Sequence, residues 1–250
     1  HIVLKWTNTT RWLRLTIARS EGLVMATPKA GYYLPNKERV PGTTTIISRF
    51  KDSGALMHWA ASQGQLVERG VIKHWRDAAE NAANIGTQAH EAIEAFIRGN
   101  PVDLAGSDPK VKQAYDNAMS WLQSTKIEIV PELQEIQLVS IDYKFGGTPD
   151  AIGLHEGKLV LIDWKTSNSV YSDYLIQMAA YRHLIEHGLR MDTYQPLGIE
   201  LAPGAYICRF AKDHGDFASH YFGDLSDAWE QFTLFRRAYE IDKALSKRAA

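Results

Sequence analysis

The sequence predicts an α/β fold in which a helical N-terminal layer precedes a core built around a sheet. Apolar residues recur at helical spacing in the first half of the chain, whereas extended apolar runs fill much of the second half. The predicted helices cover residues 54–75, 77–98, 108–123, 173–187 and 225–246. The predicted strands cover residues 127–139, 143–154, 158–165, 197–201, 205–210 and 219–222. Helices, a three-strand meander, a helix and further strands in this order are typical of an α/β core.

The composition of the chain is that of one globular domain. Its 250 residues are 45% hydrophobic and 23% charged, which is enough to build a sizeable core in a single domain. No apolar run approaches the roughly 18 residues of a membrane-spanning helix, so we expect no membrane partner. No G-x-x-x-x-G-K-[ST] loop is present, so we expect no ATP motor in this chain. The single cysteine, Cys208, excludes an intrachain disulfide and a four-cysteine iron–sulfur cluster.

Two carboxylates and a lysine mark the second and third predicted strands. Asp163 and Lys165 are two residues apart, so both side chains leave the same face of a strand. The apolar residues 159–162 before them indicate a strand that is buried on both faces. Charged groups beside such a strand are unfavourable unless they bind something. Asp150 on the preceding strand could share a divalent cation with Asp163, because Mg²⁺ prefers oxygen ligands.

These residues resemble the signature of a nuclease superfamily. Pro149-Asp150, twelve intervening residues and Asp163-Trp164-Lys165 are similar to the PD-(D/E)XK motif. The resemblance implies a restriction-endonuclease-like core with the order αβββαβ and a mixed central sheet. It also implies a metal-dependent hydrolase that cleaves phosphodiester bonds, with Mg²⁺ or Mn²⁺ as its cofactor.

Four further elements extend the resemblance to the RecB-like branch of this superfamily. His90 matches a histidine that binds metal from a helix, and Glu135 lies where that branch also places a glutamate. Gln177 and Tyr181, one helical turn apart, match its Q-x-x-x-Y helix. Residues 43–48 resemble the first segment of the mitochondrial genome maintenance exonuclease and related phage and bacterial exonucleases.

The resemblance also implies a role for each of these residues. His90, Asp150 and Asp163 would hold the metal, and Asp150, Asp163 and Lys165 would be catalytic. Lys165 would either stabilise charge on the phosphorus or orient the attacking water, and the sequence leaves both roles open. The residues expected to bind substrate or support the site are Glu135, Thr166, Gln177, Tyr181, Thr44 and Ser48.

We expect one nuclease domain preceded by a short extension. Residues 1–24 form a basic extension whose origin stays open, because the chain begins at His1 and Met25 would make a plausible natural start. Residues 25–250 would form a single PD-(D/E)XK nuclease domain. The expected parts of that domain are a helical layer over about 44–124, a catalytic core over about 127–222 and a C-terminal helix over about 225–246.

DNA is the expected partner, with single-stranded ends as the favoured substrate. The net charge of −1 is unlike that of a strongly basic nucleic-acid binder, so DNA would need a local basic path. The basic candidates for that path are Arg11, Arg14, Arg19, Lys144, Arg182, Arg209 and Lys212. The aromatic candidates for base stacking are Trp59, Trp75, Tyr32 and Tyr33. Core packing accounts for most residues of this kind, so we favour it for each one taken alone.

Three other functions stay open at the level of the sequence. The first is a structure-selective or restriction-like endonuclease, and the second is a non-catalytic scaffold that binds nucleic acid. The intact Asp150, Asp163 and Lys165 argue against a scaffold, which has no need of them. The third is a metal phosphoesterase that acts on small nucleotides. A phage or bacterial cytoplasm is the expected location, and a mitochondrial matrix is the alternative.

Overall fold

The computed structural model describes residues 31–51, 61–62, 64–71, 75–167, 169–210 and 217–249. The helices of these residues are α1 (Thr43–Phe50), α2 (Trp75–Ile97), α3 (Pro109–Thr125), α4 (Ser172–His187) and α5 (Ser226–Ala249), with a short helical segment over 64–68. None of the described helices is long and apolar enough to cross a membrane. The extension over residues 1–24 and much of the helix predicted over 54–75 lie outside the described residues.

The described strands form one main sheet and two small ones. They are β1 (Tyr32–Tyr33), β2 (Arg39–Val40), β3 (Glu128–Ile129), β4 (Leu138–Ser140), β5 (Phe145–Gly147), β6 (Ala151–His155), β7 (Lys158–Thr166), β8 (Leu189–Arg190), β9 (Leu201–Phe210) and β10 (Phe217–Phe222). The main sheet has the order β10-β9-β7-β6-β3, and the small sheets have the orders β5-β4-β8 and β1-β2. In the main sheet β7 and β9 are parallel, whereas the other neighbours are antiparallel. This mixed central sheet confirms the predicted α/β fold class.

The predicted three-strand meander is wrong in its strand boundaries. The strand predicted over residues 127–139 is split into β3 and β4 by a 3₁₀ turn at Pro131–Leu133, where proline lacks the N–H donor that a strand needs. The strand predicted over 143–154 is split into β5 and β6, which belong to different sheets. Of the strand predicted over 197–201, only Leu201 is in a strand, and there it begins β9.

The core lies on both faces of β7, as its apolar run predicts. On one face Leu161 packs against α4 and α5. On the other face Ile162, together with Cys208 of β9, packs against α2 and α3. Burying one large apolar side chain contributes about 1.5–3 kcal/mol, so each face contributes many such increments. Because side chains alternate along a strand, Asp163 and Lys165 leave β7 on the same face as Leu161, towards α4.

Two glycines of β5 allow the first described residues to approach the sheet closely. A Cβ atom on Gly146 would overlap the ring of Tyr32, and a Cβ atom on Gly147 would lie 2.7 Å from Cε1 of Tyr181. The Thr43 hydroxyl at the start of α1 donates a hydrogen bond to the carbonyl oxygen of Gly146 at 3.0 Å. β5 is therefore enclosed by β1, α1 and α4 shortly before the chain reaches Asp150.

Candidate active site

Asp150 and Asp163 face each other across the β6–β7 ladder. Ala151 is opposite Ile162 in this antiparallel pair, so the register continued by one residue brings Asp150 opposite Asp163. The backbone N–H of Trp164 donates a hydrogen bond to Oδ2 of Asp150 at 2.9 Å. The orientation of the Asp150 carboxylate is therefore fixed by the strand that carries the second carboxylate.

The Asp163 side chain is fully buried. Its oxygens contact the Lys165 ammonium and face the Asp150 carboxylate, and neither forms a hydrogen bond of regular geometry with a described residue. Burial and the Asp150 carboxylate raise the pKa of Asp163 to about 7, although Lys165 opposes this shift. A buried carboxylate with unused lone pairs is stabilised by a nearby cation. Its surroundings therefore fit a divalent metal ion shared with Asp150.

Lys165 brings a positive charge to the same face of β7. Its Nζ lies 2.5 Å from Oδ2 of Asp163, a close ion pair that lacks the angles of a hydrogen bond. Burial by itself lowers the pKa of Lys165, but the Asp163 and Asp150 carboxylates outweigh it and raise that pKa above its usual value. The ammonium thus stays charged at neutral pH, while the Asp163 oxygens keep lone pairs for another ligand. The side chain as a whole is 17% exposed.

His90 of α2 reaches the same strand end from the other layer. Its Nε2 lies 3.0 Å from the backbone carbonyl oxygen of Trp164. Because a carbonyl only accepts, this contact assigns the ring proton to Nε2 and leaves Nδ1 with a lone pair. Nδ1 lies 3.9 Å from Oδ2 of Asp150. Nδ1 of His90 and the Asp150 carboxylate therefore lie close together at the end of β7.

Glu135 lies beside Asp150, but it does not lie on the strand that the sequence predicts. Its backbone is left-handed, with φ of 49°, and its N–H donates to the carbonyl oxygen of Asp150 at 3.1 Å. Its carboxyl group is hydrogen-bonded to Glu94 of α2, and Glu94 forms an ion pair with Arg98 at 2.7 Å. Burial and then the Glu94 carboxylate raise the pKa of Glu135 to about 7. Glu135 therefore takes up a proton more readily than an ordinary glutamate.

Gln177 and Tyr181 support the site from α4. The side-chain amide of Gln177 donates a hydrogen bond to the Tyr181 hydroxyl at 2.8 Å. Tyr181 is buried, and burial together with the Asp163 and Asp150 carboxylates raises its pKa well above the usual value. The hydroxyl therefore stays protonated and can donate a hydrogen bond of its own towards the carboxylates.

The other residues that were predicted to bind substrate or support the site lie around the carboxylates and Lys165. Thr166 ends β7, and its hydroxyl oxygen is buried without a hydrogen-bond partner among the described residues. Thr44 and Ser48 both lie on the exposed side of α1. Thr43, which bonds to β5, is the buried threonine of that segment, and the sequence analysis missed it. A run of three threonines carries no signal that tells which one faces inward.

The basic residues that were predicted to form a path for DNA contact other groups of the protein, where the structure describes them. Lys144 pairs with Glu38, Arg182 pairs with Glu186, and the buried Arg209 donates to a backbone carbonyl. Arg182 and Arg209 are thereby engaged within the protein, whereas the Lys144–Glu38 pair stays exposed to solvent. The candidates that lie outside the described residues, or whose side chains are not described, are Arg11, Arg14, Arg19, Trp59, Trp75 and Lys212.

The carboxylate pair fits a metal that retains much of its water. Within the described residues, no group of three or more His, Cys, Asp and Glu side chains is arranged to hold a metal ion. Mg²⁺ is commonly bound by one or two carboxylates together with waters and substrate phosphates. Asp150 and Asp163 meet that requirement, and the Nδ1 atom of His90 would suit Mn²⁺. When bound, such an ion polarises a phosphoryl oxygen and makes a water molecule more acidic.

Paired carboxylates and a lysine on adjacent strands of a mixed α/β sheet define a metal-dependent nuclease. This class acts on nucleic acid and hydrolyses it. A family model of the PD-(D/E)XK nuclease superfamily matches residues 26–240, and the chain belongs to that superfamily. Membership implies a nucleic-acid substrate and a divalent metal cofactor, typically Mg²⁺ or Mn²⁺.

Two further comparisons add little to this assignment. The crystal structure of SSO0001 is similar at 16% sequence identity and a TM-score of 0.30, over 60% of this chain and 71% of that chain. A likeness of this strength carries no argument about function. The search of curated proteins finds no match.

Proposed function

We propose that this protein is a metal-dependent DNA exonuclease that hydrolyses phosphodiester bonds at single-stranded ends, in replication, repair or recombination. The observation that carries this proposal is the Asp163 carboxylate, which is fully buried and forms no hydrogen bond of regular geometry with a described residue. It faces Asp150 and lies against Lys165. A binding scaffold without catalysis has no use for this arrangement, because burying such a carboxylate destabilises the fold.

Each residue of the site has a distinct task in this proposal. Asp150 and Asp163 would hold Mg²⁺ or Mn²⁺, with His90 as the third ligand. The Trp164 N–H keeps the Asp150 carboxylate in one orientation, so little rearrangement is needed when the metal binds. The Lys165 ammonium would stabilise the negative charge that develops on the phosphoryl oxygens during water attack.

The preference for single-stranded ends rests on the motifs that surround the catalytic pair. His90, Glu135 and the Gln177–Tyr181 pair resemble residues of RecB-like exonucleases, and residues 43–48 resemble the first segment of single-strand exonucleases. Gln177 and Tyr181 form a hydrogen-bonded pair beneath the carboxylates, which supports a role for α4 in holding the site. The family match itself reaches the superfamily and not the branch.

Digestion of labelled DNA with Mn²⁺ tests this function. The substrates are one single strand labelled at the 5′ or the 3′ end, the same strand closed into a circle, and the matching duplex. We expect stepwise shortening of the linear strand from one end, an intact circle and slower loss of the duplex. The Asp163→Ala variant serves as the control for contaminating nucleases.

Three outcomes would contradict the proposal in different ways. Cleavage of the closed circle would identify an endonuclease, because a circle offers no end. Intact DNA in every sample, with binding retained, would identify a scaffold without catalysis. Release of mononucleotides from small esters, with every strand left intact, would instead point to a phosphoesterase.

A further inference from the structure

Two tyrosine rings that contact each other lie between Lys165 and the protein surface. The Nζ atom of Lys165 lies 5.3 Å from the ring centroid of Tyr174. The rings of Tyr174 and Tyr171 meet edge to face, with centroids 5.5 Å apart and planes at 81°. Tyr171 is 44% exposed, whereas Tyr174 is partly buried. The Tyr174 ring thus lies between the proposed catalytic ammonium and an aromatic surface that is open to solvent.

The exposed ring of Tyr171 packs against Tyr174, which is itself anchored to the protein. Tyr174 is hydrogen-bonded through its side chain to Ser167, just after β7. The N–H of Tyr174 donates to the carbonyl oxygen of Tyr171 at 3.0 Å, which fixes the backbone of both residues at the start of α4. An aromatic ring fixed in this way loses little conformational entropy when another ring stacks on it.

A positive charge lies at the start of α4, the helix that directly follows Tyr171. Lys51 follows α1, and its Nζ donates a hydrogen bond to Oγ of Ser172 at 2.8 Å. Ser172 is the first residue of α4, and the preceding Tyr171 makes no capping hydrogen bond with its side chain. The Lys51 ammonium and the N-terminal N–H groups of a sixteen-residue helix therefore lie together, and both favour a negative group.

We propose that Tyr171 and Lys51 form a nucleotide subsite beside the catalytic centre. The Tyr171 ring stacks on a nucleobase, and the Lys51 ammonium pairs with a phosphate of the same strand. This subsite rests on the proposed function, because it places a DNA strand next to Lys165. Bases in a duplex are stacked on one another, so Tyr171 contacts a base only in a single strand or at a frayed end. The subsite would thereby select single-stranded ends.

Binding of two matched strands tests the stacking contact directly. One probe is a fluorescently labelled oligothymidylate, and the other is a strand of equal length in which abasic sites keep the phosphates but remove the bases. Ca²⁺ replaces Mn²⁺ so that binding is measured without cleavage. We expect Tyr171→Ala to lose about tenfold affinity for oligothymidylate, the effect of one stacked base, and none for the abasic strand. Tyr171→Phe keeps the ring and should bind both strands as the wild type does.

The phosphate contact has a different signature. Lys51→Ala is expected to weaken binding of both strands equally. It should also lower the slope of log affinity against log salt by about 0.7, the value for one contact to a single strand. Tyr221→Ala, at another exposed tyrosine on β10, is the matched control and should leave both affinities unchanged. Thermal unfolding of each variant establishes that it is folded.

The possible failures separate the subsite from the proposed function. Suppose that the wild type cleaves single strands. If Tyr171→Ala then binds both probes as the wild type does, or loses affinity for both equally, the stacking subsite is wrong. The exonuclease assignment stands in that case. If the wild type neither binds nor cleaves single-stranded DNA, the proposed function fails and the subsite fails with it.

Discussion

The backbone of Trp164 holds the side chain of Asp150 through a hydrogen bond at 2.9 Å from its N–H to Oδ2. The carbonyl oxygen of the same residue lies 3.0 Å from Nε2 of His90. Two of the expected metal ligands are thus oriented by the two polar backbone groups of one residue in the buried strand β7. Because that strand is packed on both faces, the ligands gain their positions from the core rather than from a loop.

Replacing Asp163 by asparagine is expected to remove nearly all cleavage activity. The change keeps the size of the side chain but removes the charge that would hold the metal, and metal catalysis contributes several kcal/mol. We expect a loss of about three orders of magnitude in the cleavage rate, measured on end-labelled DNA at saturating Mn²⁺. Glu132→Gln, at an exposed position of the 3₁₀ turn, is the matched control and should retain full activity. A similar rate in both variants would remove Asp163 from the catalytic site.

Replacing His90 by glutamine is expected to weaken metal binding more than it slows the cleavage step. We expect the Mn²⁺ concentration for half-maximal activity to rise about 10–100-fold. The requirement for Mg²⁺ should change less, because an imidazole ligand favours Mn²⁺ over Mg²⁺. Titrating the cleavage rate with each metal measures this difference. An unchanged Mn²⁺ requirement would show that His90 has only a packing role against Trp164.

The metal-free protein is expected to lose stability as the pH rises from about 4 to about 7. Asp163 and Glu135 each have a pKa of about 7 in the folded protein, well above that of an ordinary carboxyl group. The folded chain therefore binds more protons than the unfolded chain in this window, so the free energy of unfolding falls with rising pH. Mn²⁺ neutralises the ionised carboxylates, and its stabilising effect should be larger at about pH 8 than at about pH 5.

Urea unfolding at both pH values, with and without Mn²⁺, measures this linkage. The Asp163→Asn variant should show a smaller loss of stability with rising pH, because one of the two titrating groups is absent. Equal stabilisation by Mn²⁺ at both pH values would contradict a metal site built on Asp163.

His183 is expected to make the free energy of unfolding depend on pH in the opposite direction, under acidic conditions. Burial and then His187 lower the pKa of His183 to about 4, and its ring stacks on Trp229 at a centroid distance of 4.3 Å. The unfolded chain therefore binds more protons between about 4 and 6.5, and the free energy of unfolding falls as the pH falls through this window. His183→Phe keeps an aromatic ring and should reduce that fall by on the order of 1 kcal/mol. His220→Phe, at an exposed position, should leave the acid dependence unchanged.

Replacing Gly147 by alanine is expected to destabilise the fold by about 1–3 kcal/mol, the usual effect of overpacking. The new Cβ would lie 2.7 Å from Cε1 of Tyr181 and 2.8 Å from both Cδ1 of Leu184 and Oγ1 of Thr43. Gly64→Ala is the matched control, because no atom lies within 4 Å of its Cβ position and alanine favours the helical segment there. Urea unfolding of both variants measures the difference in stability. If Gly147→Ala were as stable as Gly64→Ala, the close packing around Gly147 would be wrong.

The sequence predicts the centre of the candidate site well, because that centre follows from local geometry. Asp163 and Lys165 lie on one face of a strand by its period of two, and the apolar run before them predicts burial on both faces. Gln177 and Tyr181 lie on one side of a helix by its period of 3.6, and they form the hydrogen bond that this placement allows. These relationships need no knowledge of distant contacts.

The surroundings of that centre depend on contacts that the sequence does not reveal. Glu135 is placed by a left-handed backbone and by a contact with Glu94, forty-one positions earlier in the chain. Gly146 of β5 packs against Tyr32 of β1, and Gly147 packs against α1 and α4. The sequence did not predict a role for Tyr171. Its ring reaches the neighbourhood of Lys165 through Tyr174, and this contact forms only when α4 packs onto the sheet.

The burial of Cys208 makes this chain a convenient subject for site-specific labelling. It is the single cysteine of the chain, and β9 buries it beside Trp164. Burial raises the pKa of its thiol well above the usual value, so the reactive thiolate is scarce at neutral pH. A cysteine introduced on the surface should therefore take a maleimide dye or a nitroxide while the native thiol stays unmodified. Dyes on α5 and on a DNA end could then report, molecule by molecule, how a strand approaches this protein.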